Sequence, residues 1–98
     1  MLQFLKVAGR SLEPTYHEGD FVLIVKIPFS AIFYRPGDVV VFRNETYGTL
    51  IKRIDHLVDG GKRLYVLGTA SSSVDSDDFG AIPGSAVIGK VVGHVSRK

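Results

Sequence analysis

The chain has 98 residues, 45% of them hydrophobic, enough to bury one core and no more, so a single domain over 1–98 is expected. Twelve Lys and Arg against ten Asp and Glu leave a net charge of +2, with the basic residues scattered, which argues against a nucleic-acid surface. The absence of cysteine excludes a disulfide framework and thiolate chemistry.

Taken in order, the chain reads as short strands divided by turns. Residues 4–8 form a first strand, and Gly9-Arg10-Ser11-Leu12-Glu13-Pro14-Thr15 follows as a turn. Gly9 accepts φ values barred to other residues, while Pro14 fixes its own φ and drives Glu13 out of the helical region. Such a turn can hold the Ser11 hydroxyl rigidly. A second strand is expected over 20–27, bounded by Glu18-Gly19 and Pro28.

The stretch Ile27-Pro28-Phe29-Ser30-Ala31-Ile32-Phe33-Tyr34 is unusually apolar for a connection. It reads as a flap over the sheet, with a single helical turn at 30–34. The functional alternative is contact with a bilayer or an apolar peptide. Pro36-Gly37 then opens a strand at 38–43, and Asn44-Glu45-Thr46-Tyr47-Gly48 is a hairpin loop leading to a return strand at 49–58. If Leu50-Ile51-Lys52-Arg53-Ile54 lies in that strand, alternation puts Lys52 on one face with Leu50 and Ile54, and Arg53 on the other. An amine between two aliphatic neighbours is set to lose its proton.

Asp59-Gly60-Gly61-Lys62 is a second hairpin turn into a strand at 63–67. Residues 68–79 are polar, serine-rich and too irregular for a strand, and no segment keeps a helical period for more than about a turn. A last strand covers 86–96, where Gly89 and Gly93 mark a bulge or bend. Strands at this spacing imply an all-β fold, a compact, partly closed antiparallel sheet. No run approaches the roughly 18 to 20 apolar residues that a spanning helix needs, and the first seven residues are too short for a secretory signal.

The blocks Val7-x-Gly9-x-Ser11-Leu12-x-Pro14-Thr15, Gly19-Asp20-x-Val22-Leu23, Gly37-Asp38-Val39-Val40-Val41-Phe42 and Ile51-Lys52-Arg53-Ile54 run in a telling order. With Leu67-Gly68, Ser73-x-Asp75-Ser76, Phe79-Gly80-x-Ile82-Pro83 and Ile88-Gly89-Lys90-Val91, they resemble the serine-lysine peptidases typified by signal peptidase I. The self-cleaving domains of SOS-type repressors are similar but more distant. The resemblance implies a serine endopeptidase with Ser11 as nucleophile and Lys52 as base, acting through an acyl-enzyme and needing no cofactor or metal. A lysine can serve only when neutral, so its proton affinity must fall by roughly three pH units, on the order of 4 kcal/mol against the charged form. Burial supplies effects of that size.

In the same family pattern the serine matching Ser73 orients the lysine amine, and the aspartate matching Asp75 supports that serine. Here Thr69 and Ala70 replace Asp and Asn, and Asp77 replaces an arginine that pairs with the aspartate. Asp75 is therefore expected to lack its cation and to face an extra anion, so that either Arg53 or another base compensates or the loop is looser than usual. The oxyanion donor is the Ser11 backbone N–H, because Gly9 occupies the position where some members add a serine hydroxyl. Arg10 reads as a solvated turn residue.

The substrate is expected to be a precursor protein or peptide bound as an added strand, with no nucleic acid and with membrane contact, if any, through 27–34. Membrane-bound members carry a spanning helix before the serine motif. That leaves the chain as the catalytic domain of an anchored protein, or as a small soluble maturation protease like those that trim nickel superoxide dismutase precursors. The competing class is a non-catalytic peptide-binding or self-association domain of the same fold, for which Thr69, Ala70 and Asp77 argue. Two further readings are weak. Asp75 to Gly80 resembles the start of a calcium loop, but its twelfth position falls on Ala86 rather than a carboxylate. A Ser-His-Asp site built on His17, His56 or His94 has no supporting spacing, and neither does a metal set.

Overall fold

The computed structural model describes residues 2–6, 19–26, 34–68 and 74–95. Over these it contains strands β1 (Leu2–Lys6), β2 (Phe21–Val25), β3 (Val39–Asn44), β4 (Gly48–Val58), β5 (Arg63–Leu67), β6 (Ile82–Pro83) and β7 (Val87–Val95), with a one-turn helix α1 (Ser76–Phe79) between β5 and β6. All pairings are antiparallel, and one sheet runs in the order β1-β2-β7-β3-β4-β5-β6. The all-β expectation holds. The sheet is open, with β1 and β6 as its edges.

The strand at 63–67 is found where the sequence places it, and the others begin within one or two residues of their expected starts; the expected ends at 8, 27 and 96 lie outside the described residues. Two elements go beyond the sequence reading. The helix α1 stands in the stretch read as irregular, and β6 adds two residues beside β5.

Apolar alternation divides the core between the two sheet faces. Val40, Phe42, Ile54, Leu64, Val66, Ile82 and Tyr34 form one cluster, with Leu50, Phe79 and Val87 against it. Val22, Ile24 and Val41 form the other, joined by Leu5, Ile51, Ile88 and Val91. Central β3 contributes to both, which is why Val39-Val40-Val41-Phe42 is continuously apolar rather than alternating.

The turns follow from their residues. In the β3–β4 hairpin the Asn44 Oδ1 accepts hydrogen bonds from the Thr46 and Tyr47 N–H groups at 2.8 and 3.0 Å, and Gly48 adopts φ 81°. Gly37, at φ 95°, donates its N–H to the Ile54 carbonyl at 2.7 Å, and Ile54 donates back to Asp38 at 2.7 Å. That pair of bonds fixes the start of β3 beside the middle of β4.

The expected irregularity in the last strand is present twice. Between the pairs Val41↔Gly89 and Phe42↔Val87, Ile88 is an extra residue, and Val92 is another between Leu23↔Gly93 and Ile24↔Val91. A third bulge leaves Asp55 unpaired between Ile54↔Val66 and His56↔Tyr65.

Candidate active site

Lys52 stands in the middle of β4 directly opposite Val40 of β3, on the face that carries Ile54 and Leu50. Its relative exposure is 1%, making it one of the largest fully buried side chains among the described residues. The cause is local. Its cross-strand neighbour Val40 and its same-face neighbours Leu50 and Ile54 all belong to or pack on the larger apolar cluster, so a side chain here is directed inward. Burial pulls the Lys52 amine below the usual lysine range, while the nearby carboxylates of Asp75 and Asp78 push the other way without overcoming it. Lys90 lies on the same cross-strand row, through Val40, but is less enclosed and pairs with Asp38 at 3.1 Å.

Asp75 is buried and caps α1. Its Oδ1 accepts from the Asp77 N–H at 3.0 Å and its Oδ2 from the Gly68 N–H at 3.2 Å, while Asp78 returns a bond by accepting the Asp75 N–H at 3.1 Å. The two aspartates thus form a capping box that satisfies backbone donors from both sides. Ser76, also buried, accepts the Val66 N–H on its Oγ at 2.8 Å. Asp77 accepts a hydrogen bond from the Tyr65 hydroxyl. This bond, with burial and the surrounding carboxylates behind it, pushes the Tyr65 phenol up to about 12. Gly80 ends the turn at φ 84°, its N–H on the Ser76 carbonyl at 2.8 Å.

The Asp77 carboxylate accepts from the Tyr65 hydroxyl, a neutral donor, while Asp75 accepts from the backbone N–H groups of Gly68 and Asp77. Arg53 instead faces away from Lys52, half-buried, and lines an open groove of about 220 Å³ with Ile54, Asp55, Leu67 and Gly68.

Of the four residues singled out for the chemistry, the structure places Lys52 and Asp75 within electrostatic reach of each other. Ser11 and Ser73 lie outside the described residues, as do His17, Arg10, Thr69, Ala70 and the apolar stretch at 27–33. Tyr34, which ends that stretch, is buried in the larger cluster. His56 holds Asp55 at 2.7 Å and stacks on Tyr65 with ring centroids 4.8 Å apart. His94 holds the buried Asp20 at 2.7 Å across the β2–β7 end of the sheet. Both histidines are thus committed to neighbouring aspartates. The described residues contain no group of His, Asp or Glu side chains able to hold a metal, and no helix long and apolar enough to cross a membrane.

The roles of Ser76, Asp78 and Tyr65 escaped the sequence reading, although Ser76 stands in one of the quoted blocks. For Asp78 a signal existed, since Asp75-x-x-Asp78 has the spacing of a capping box. For Tyr65 none did, because its partner is twelve positions away with no periodic relation.

No curated protein matches the chain. The sequence matches the Peptidase S24-like family over residues 1–92. That span takes in Ser11, the Lys52 strand and the Asp75 helix together, and it makes this chain a member of the Peptidase S24-like family, within the superfamily of signal peptidase I and the SOS repressors.

Proposed function

We propose that the chain is a serine endopeptidase in which Ser11 and Lys52 form a catalytic dyad. The observation that carries this reading is the burial of Lys52 among aliphatic side chains, which favours the neutral amine that a general base requires. Family membership supports the hydrolase class.

In the proposed cycle the Lys52 Nζ lone pair takes the Ser11 hydroxyl proton as Oγ attacks the substrate carbonyl carbon. The resulting oxyanion is met by the Ser11 N–H. The C–N bond then breaks, the leaving amine takes the proton from Lys52, and an ester on Ser11 remains. Lys52 next draws a proton from water, whose oxygen attacks the ester and releases the acid, and the proton returns to Ser11. Ser73 is assigned the task of aiming the amine and Asp75 that of supporting it. The substrate is an extended segment of a precursor protein, laid down as an added strand. Both narrower identities, an anchored signal-peptidase domain and a soluble maturation protease, fit this cycle.

A second reading has one observation in its favour. Asp75 and Asp78 both favour the ammonium form of Lys52, as suits a domain that binds peptides without cutting them. The test is acylation by a serine-reactive probe as a function of pH, in wild type, Ser11→Ala and Lys52→Ala. Labelling that rises with pH and vanishes in both variants supports the dyad. Labelling that survives Lys52→Ala removes the base, and an unlabelled wild type that still binds an extended peptide favours the second reading.

A further inference from the structure

Beyond β6, whose two residues reach only Arg63 and Leu64, the outer edge of β5 has no strand partner among the described residues. Val66 and Gly68, two positions apart, send their N–H groups to this same edge. Left bare, such donors are costly and invite foreign strands. Here side chains replace the strand: Val66 donates to the Ser76 Oγ and Gly68 to the Asp75 Oδ2. Tyr65 adds a third rung through its hydroxyl to Asp77. The partners run 65 to 77, 66 to 76 and 68 to 75, the order of an antiparallel ladder. The first turn of α1 therefore occupies the place of a strand, and the rung nearest the solvent is the one made by two side chains.

We propose that the Tyr65–Asp77 hydrogen bond clamps α1 onto β5, making Tyr65 a positioning residue that keeps the Asp75 carboxylate seated at Gly68, within reach of Lys52. The proposal rests on the Ser–Lys reading for its catalytic meaning but not for its test. Asp77 cannot serve Lys52 directly, because its carboxylate is turned to Tyr65. The carboxylates that act on the Lys52 amine are Asp75 and Asp78, and both belong to the capping box at the clamped end of α1. Loss of the clamp frees that end to lift, and it carries both carboxylates away from the amine. Because the Tyr65 hydroxyl satisfies no buried backbone group, its removal leaves the fold intact.

The experiment follows the Lys52 side chain by NMR in protein carrying ¹³C-labelled lysine, with Lys52→Arg identifying the signal, together with amide exchange at Gly68 and Val66. In Tyr65→Phe the Lys52 titration midpoint falls, since the ammonium loses its nearest anions, and exchange at Gly68 quickens roughly fivefold to tenfold. Asp77→Ala reproduces both effects, and Asp77→Asn, which keeps an acceptor for the hydroxyl, stays close to wild type. The double variant Tyr65→Phe/Asp77→Ala is no worse than either single change. An unchanged Lys52 midpoint and unchanged Gly68 exchange in both Tyr65→Phe and Asp77→Ala would overturn the proposal. None of these readouts requires turnover, so a failed clamp and a failed dyad give different results.

Discussion

Lys52 and Asp75 meet as a buried amine and a carboxylate already committed to backbone donors. Asp75 holds the N–H groups of Asp77 and Gly68, so it steadies the Lys52 ammonium from a distance rather than as a close salt-bridge partner. The amine is left between two opposing influences, burial and negative charge, with burial the stronger.

That balance fixes a pH dependence. The folded-state proton affinity of Lys52 lies below its unfolded value, so the unfolded chain binds more protons in the interval between them. Stability then rises with pH across that interval, and the cost of the buried charge is fully present below it. Lys52→Met should remove this alkaline gain and stabilise the protein near neutrality by on the order of 1–2 kcal/mol, while abolishing acylation. Urea unfolding of both proteins between pH 6 and 10 checks it; a parallel pair of curves would contradict the buried-amine account.

Asp75→Asn removes the anion that favours the ammonium, so the acid limb of the acylation profile should move to lower pH. Its amide keeps one acceptor, enough for the Asp77 N–H cap, but turns its NH2 toward the Gly68 N–H. Asp75→Ala should in addition lose about 1 kcal/mol of stability with the cap. Probe labelling across pH and thermal melts of the two variants give the comparison.

Ser76→Ala leaves the Val66 N–H buried without its acceptor, and an orphaned donor of this kind costs about 1–3 kcal/mol. Chemical denaturation should show that loss, whereas Ser76→Thr, which retains the hydroxyl, should lose less.

At Gly89 an added Cβ would come within 2.8 Å of the Val25 carbonyl oxygen and 3.0 Å of the Ile24 Cδ1, whereas at Gly93 the nearest atom, Leu23 Cβ, is 3.4 Å away. Gly89→Ala should therefore cost about 1–3 kcal/mol by forcing β2 and β7 apart, with Gly93→Ala milder. Melting temperatures of the two single variants test the ranking.

Much of this was legible in the residues because β structure writes itself in alternation and turn chemistry. Leu50, Lys52 and Ile54 declare a common face, and Asn44 to Gly48 declares a hairpin. The helix α1 was not legible, since four residues are too few to show a period and its stability comes from Asp75, Asp78 and the β5 edge. β6 was hidden for the same reason, its two residues being held by Arg63 and Leu64 rather than by propensity. The partner of Asp77 was not legible either, because the Tyr65 hydroxyl that it accepts from lies twelve positions away on β5.

The position of β7 between β2 and β3 has a consequence for biosynthesis. Of the described strands β7 leaves the ribosome last, and it is the one that joins the β1–β2 pair to the β3–β6 meander. Until it arrives, the two halves share no backbone ladder, and the inner edges of β2 and β3 stand open to neighbouring nascent chains. Such late closure of distant pairings slows folding, and the growing polypeptide has most need of chaperone protection in that interval.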